Sequence, residues 1–130
     1  MQSCVERITN CKFDLSTFCQ ASLPVKLGGL GIRRTKDIGL PAFIASSMKS
    51  SSIVNLILQG SDRDPFSSLL SDAVSAWKSI DSRLTEPVAP ASLHQKSWDL
   101  PVANLALKVL IENATVLSSR ARLLAVSAPY

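Results

Sequence analysis

Histidine is almost missing from this sequence: the 130 residues include one, His94, flanked by Gln95 and Lys96. A nucleophilic triad or a nitrogen-ligated metal centre needs imidazole beside a carboxylate or a thiol, so neither is expected, and His94 reads as a surface residue. Aromatic residues are 5% of the chain, too few for a platform of stacked rings, and Trp77 and Trp98 read as core anchors instead. No apolar run reaches the roughly eighteen residues a membrane span requires, and the N-terminus lacks an apolar signal-like stretch. These absences predict an intracellular chain, cytoplasmic or nuclear, that is not secreted and has no membrane partner. Cysteine is scarce and odd in number: Cys4, Cys11 and Cys19 allow no closed disulfide framework, and their spacing suits three buried or half-buried thiols on one helical face. Zinc would want a close cysteine pair or a nearby histidine, and Asp62-Arg63-Asp64 lacks the glycine and spacing of a calcium loop. No metal, cofactor or small-molecule substrate is expected, and no enzyme constellation can be assembled.

What is present is apolar and helical. Hydrophobic residues make up 46% and charged residues 18%, which excludes a wholly disordered chain. Period-two alternation is nearly absent, so the expected fold class is all-α: an irregular bundle of about four to six short helices, with a Gly-rich turn in the N-terminal third. Over the first 20 residues Asp14 or Ser16 caps a short turn through Leu15, Phe18 and Cys19. Thr35 caps a helix through Ile38, Phe43 and Met48, which Pro41 kinks or restarts. Ser50-Ser51-Ser52 offers caps for a separate helix through Leu56 and Leu58, ended by Gly60. The strongest signal follows: Asp64 as cap, Pro65 at the first helical position, then Phe66, Leu69, Leu70, Ala73, Val74, Trp77, Ile80 and Leu84 at three- and four-residue intervals. Two prolines break residues 85–91. Ser92 opens a turn through Leu93 and Trp98, Asp99 and Pro101 restart a helix through Ile111, and a last helix over 115–127 turns Leu117, Ala121, Leu124 and Ala125 to one side.

Residues 23–32 cannot continue a helix, because Pro24 opens them and Gly28, Gly29 and Gly31 follow. The glycines make a structural turn, with Val25, Leu27, Leu30 and Ile32 holding it to the core. A nucleotide loop is the weaker reading, since no Gly-Lys-Ser/Thr ending follows. Basic charge gathers here: the first 36 residues carry six basic and two acidic groups, within a net charge of +4. Lys26, Arg33, Arg34 and Lys36 are the candidate nucleic-acid-binding residues, where positive side chains and glycine amides approach a phosphate backbone. A solvated basic face is the competing reading. Arg120 and Arg122, two apart on one helix, face different directions and form no single fork.

The string Gln20-Ala21-Ser22-Leu23-Pro24-Val25-Lys26-Leu27-Gly28-Gly29-Leu30-Gly31-Ile32-Arg33 resembles the segment that follows the polymerase palm in reverse transcriptases of non-LTR (LINE-type) retrotransposons. Leu40-Pro41-Ala42-Phe43-Ile44-Ala45-Ser46, Ala76-Trp77, Gln95-Lys96-Ser97-Trp98-Asp99 with Pro101, and 119–129 resemble the same family in the same order. The resemblance covers nearly the whole chain. It implies a thumb-like helical segment over 1–84 containing the Gly-rich turn, a Pro-rich linker over 85–91 and a C-terminal helical segment over 92–130, the two helical segments forming one compact unit. The family's catalytic aspartates have no counterpart, so the resemblance implies a non-catalytic piece from beyond the active site, with weak, sequence-independent contact to an RNA–DNA or DNA duplex backbone. Self-association, or contact with the missing polymerase domains, is the other expected partnership. The alternative is a helical protein–protein interaction module, or an expressed remnant without a selected activity.

Overall fold

The computed structural model describes residues 2–58 and 67–127. Among them are six α-helices and no strand: α1 (Gln2–Thr9), α2 (Leu15–Ala21), α3 (Thr35–Ile57), α4 (Ser67–Lys78), α5 (Gln95–Asn113) and α6 (Leu117–Ser127), with 3-10 turns at Val25–Leu27 and Ala91–Leu93. The all-α expectation is met. The chain folds as two compact units, one made of the described residues up to Arg34 together with those from Ala103 onward, the other of Thr35–Val102. Residues 85–91, with their two prolines, lie inside the second unit.

In the second unit α3 packs against α4 and against the 3-10 turn at Ala91–Leu93. Trp77 of α4 and Trp98 of α5 are fully buried and meet edge to face, ring centres 5.0 Å apart at 80°. An indole N–H cannot be buried without a partner at small cost, and both are satisfied by backbone. Trp77 Nε1 donates to the Trp98 carbonyl at 3.0 Å, and Trp98 Nε1 donates to the Ser92 carbonyl at 2.8 Å. The two indoles therefore tie α4, the start of α5 and the turn at 91–93 together through directional bonds as well as packing. Ile44, Ala45 and Ala73 complete the buried cluster, with Leu40, Met48, Leu70, Val74, Leu84 and Val102 packed on it.

Three helix boundaries expected from local sequence do not occur. Neither Pro41 nor Ser50-Ser51-Ser52 interrupts α3, which runs unbroken from Thr35 to Ile57. Pro41 removes one helical donor, but it and the following Ile44 are fully buried and Ala45 is buried beside them; that packing offsets the lost bond. The serines do not cap a new helix but turn back on their own: Ser50 Oγ donates to the Ser46 carbonyl at 2.9 Å and Ser51 Oγ to the Met48 carbonyl at 2.8 Å. Likewise α5 does not restart at Asp99 but begins at Gln95 and passes through Pro101. The caps read at Gly60, Asp64 and Pro65, with Phe66, lie outside the described residues.

In the first unit, Asp14 caps α2 as expected, its Oδ1 accepting from the Thr17 amide at 2.6 Å and from Ser16 Oγ at 3.0 Å. Asn10, at φ 52°, closes α1 in the left-handed conformation that asparagine tolerates. Glu6 then holds the connection: its Oε1 accepts from the Phe13 amide at 3.0 Å and from Gln2 Nε2 at 3.1 Å. Val5, Phe18, Ala21, Leu23, Ala103 and Leu107 are the buried apolar residues of this unit. The expected row of buried thiols is absent. Cys4 and Cys11 are exposed, Cys19 is half-buried, and they lie on α1, the connection and α2, because Val5 is the one α1 residue turned inward.

Candidate nucleic-acid interface at the Gly-rich turn

The turn after α2 is fixed by its own backbone. The Leu27 and Gly29 amides donate to the Pro24 carbonyl, Gly28 to Val25, Leu30 and Ile32 to Ala21, Gly31 to Leu23, and Arg33 to Gly31, all between 2.8 and 3.2 Å. Gly28 and Gly31 have φ of 77° and 71°, the left-handed region where a side chain is strained. At Gly29 the reason is space, since a Cβ there would run into the Leu23 carbonyl. A Cβ on Gly28 would stand 2.7 Å from Val126 Cγ1 of α6, which packs on the 3-10 turn. The glycines thus shape the turn, two through a left-handed φ and one through space. The same bonds revise the idea that their amides approach a phosphate: from residue 27 to 33 every amide donates within the turn or back to the end of α2, so contact to an anion falls to side chains.

The apolar residues of the turn divide differently from expectation. Leu23 is buried and Leu27 and Ile32 are half-buried, whereas Val25 and Leu30 face outward, 71% and 61% exposed. Lys26 is exposed on the 3-10 turn, and Arg33 and Arg34 are half-buried on the segment that leaves it. Arg34 Nη1 donates to Cys19 Sγ at 3.3 Å, which binds its guanidinium to α2. Lys26, Arg33 and Arg34 belong to the first unit. Lys36, exposed in the first turn of α3, belongs to the second.

Sequence reasoning missed a cleft of about 960 Å³ in the first unit, bounded by α2, the second half of α5, and α6. Arg34 and Arg122 both line it, although they are far apart in sequence. The signal was present in α6 and its approach: Val116, Ser119, Arg122 and Leu123 recur at three- and four-residue spacing and share a face. The expected inward stripe is corrected: no residue of α6 is buried, Leu117 is 86% and Leu124 50% exposed, and the helix meets the Gly-rich turn through Val126.

Among the described residues no three His, Cys, Asp or Glu side chains gather to hold a metal ion, and no helix is long and apolar enough to cross a membrane. His94 is exposed at the end of the 3-10 turn at 91–93. No family model, curated protein or solved structure matches the chain.

Proposed function

We propose that the chain is a non-catalytic, thumb-like segment related to non-LTR retrotransposon reverse transcriptases, and that it contacts a nucleic-acid backbone weakly and without sequence preference. The observation that carries the reading is the turn itself: three cationic side chains, Lys26, Arg33 and Arg34, issue from a backbone that its own hydrogen bonds hold in place. A rigid presenter spends little entropy on ordering its cations when a phosphate arrives. Charge without base-reading geometry gives contact to phosphates, and phosphates carry no sequence.

Such binding is electrostatic and must fall with salt. At a slope of about −0.9 per phosphate contact, three contacts lose roughly fortyfold in affinity between ~50 and ~200 mM salt. Fluorescence anisotropy with a labelled RNA–DNA hybrid at those two concentrations tests this. The expected result is binding at low salt that weakens by that order and is abolished by Arg33→Glu with Arg34→Glu. No binding at ~50 mM salt sinks the proposal.

A second reading, a helical protein-interaction module, is favoured by a separate observation. Large apolar side chains stand exposed on several elements, among them Ile8, Leu15, Leu56, Ile57, Val88 and Leu117, each more than 70% accessible. Where such side chains adjoin, as Leu56 and Ile57 do at the end of α3, they form apolar surface that a partner can cover.

A further inference from the structure

We propose that the nucleic-acid contact surface extends from the Gly-rich turn onto α6, with Arg122 as a fourth phosphate-binding side chain. The inference rests on the proposed nucleic-acid contact and deepens it. It begins from where acid is missing. Residues 15–34 and 113–127 contain no Asp or Glu, and all ten of the chain lie elsewhere. The same two stretches carry five basic residues: Lys26, Arg33, Arg34, Arg120 and Arg122. The fold brings them together inside the first unit, because α6 packs on the 3-10 turn at Val25–Leu27. Charge of one sign gathered from distant parts of a chain favours an anionic partner, and a phosphodiester backbone engages several such cations at once.

Geometry selects Arg122 over Arg120. A Cβ on Gly28 would stand 2.7 Å from Val126 Cγ1, so α6 touches the turn at Val126. Arg122 lies one helical turn before Val126 on the same face, whereas Arg120 is rotated away from Arg122 by about 200°. Arg122 also lines the cleft beside Arg34, and Arg120 does not. Lys26, two residues before Gly28, is therefore anchored within roughly 17 Å of Arg122. A half-turn of duplex, ~17 Å along its axis, spans that separation. Lys26 and Arg122 are both exposed, and neither has an ion-pair partner among the described residues. Asp14, the one carboxylate in the cleft lining, is engaged as the cap of α2 by the Thr17 amide and the Ser16 hydroxyl.

The test is the salt dependence of binding of a labelled RNA–DNA hybrid to the full chain and to variants on α6, with circular dichroism to check that each stays helical. Three phosphate contacts give a roughly fortyfold loss of affinity between ~50 and ~200 mM salt, and a fourth steepens it to roughly 150-fold. The unaltered chain is expected to show the steeper loss, and Arg122→Gln to return it to about fortyfold. Arg122→Lys keeps the charge and is expected to keep the steep slope, which separates phosphate contact from a packing role. Arg120→Gln removes the same charge from the other side of the helix and is expected to leave the slope unchanged. A fortyfold loss in the unaltered chain, a slope that ignores Arg122→Gln, or equal effects of Arg120→Gln and Arg122→Gln each overturn the contact at Arg122 while leaving the turn as a binding surface. No binding at ~50 mM salt overturns the nucleic-acid reading itself, and the Arg122 contact with it.

Discussion

Gly28, Gly29 and Gly31 sit within four residues of one another, yet they do three different things, and substitution separates them. Gly31 has a left-handed φ with only Val25 Cγ2 near at 3.5 Å, so alanine there adds the backbone cost alone, about 1–2 kcal/mol. Gly28 adds to that cost a Cβ pressed against Val126, a side chain that can shift. Gly29 has an ordinary φ, but its Cβ would meet the backbone carbonyl of Leu23, which is held by the Gly31 amide at 3.0 Å. Thermal melts of the three alanine variants are expected to rank Gly29→Ala as the most damaging, then Gly28→Ala, then Gly31→Ala; Gly31→Ala as the worst of the three contradicts the assigned geometry. Three glycines beside a proline make the need for glycine legible in the sequence. The separate reason for each is not legible there, because close approach comes from residues distant in sequence, such as Val126. The tryptophans make the opposite case, since their core role follows from size and apolar spacing alone. Trp77→Ala removes a fully buried indole and its bond to the Trp98 carbonyl, and is expected to cost about 3–5 kcal/mol in a denaturant titration followed by circular dichroism.

At the level of elements, legibility follows the caps. Asp14 is readable as the start of α2, and the structure adds that Glu6 acts as a second carboxylate bracket on the connection before it. Both groups lie below their ordinary values, Glu6 from 4.5 chiefly because the Phe13 amide donates to it, Asp14 from 3.8 chiefly because the Thr17 amide does. A carboxyl with a lowered folded-state pKa adds stability that is fully present above its unfolded value and is lost as pH falls through the folded one. Acidification from 4.5 downward, and then below 3.8, is therefore expected to release α1 and α2 progressively, with faster amide exchange at Phe13 and Thr17. Glu6→Gln keeps an acceptor but cannot titrate, and so should flatten the response at Phe13; an unchanged pH response there removes Glu6 as its cause. Where caps mislead, an internal alternative wins: serines 50 and 51 have carbonyls of their own helix within reach, and Pro41 has a core to enter. Local sequence ranks these choices evenly, and packing breaks the tie.

Across the whole molecule, helicity and the tryptophan core are legible in the sequence, while the division of the chain is not. A first unit assembled from the two ends of the sequence depends on packing such as that of α6 on the Gly-rich turn, which no local pattern encodes. The same non-local closure explains why Arg122, which forms no fork with its near neighbour Arg120, shares a cleft with the distant Arg34. The apolar surface left over has a consequence of its own. On the last turns of α3, Ile53, Leu56 and Ile57 fall at i, i+3 and i+4 and are 60%, 79% and 71% exposed, so one helical face is almost wholly wet. Burying a single such side chain is worth about 1.5–3 kcal/mol, enough to change an association constant by tenfold or more. Sedimentation velocity over a concentration series is therefore expected to show self-association that high salt does not weaken, and Ile57→Lys is expected to reduce it about tenfold. Association that collapses with salt would place the contact on pairs of opposite charge instead, because screening weakens ion pairing while apolar burial is not weakened by salt.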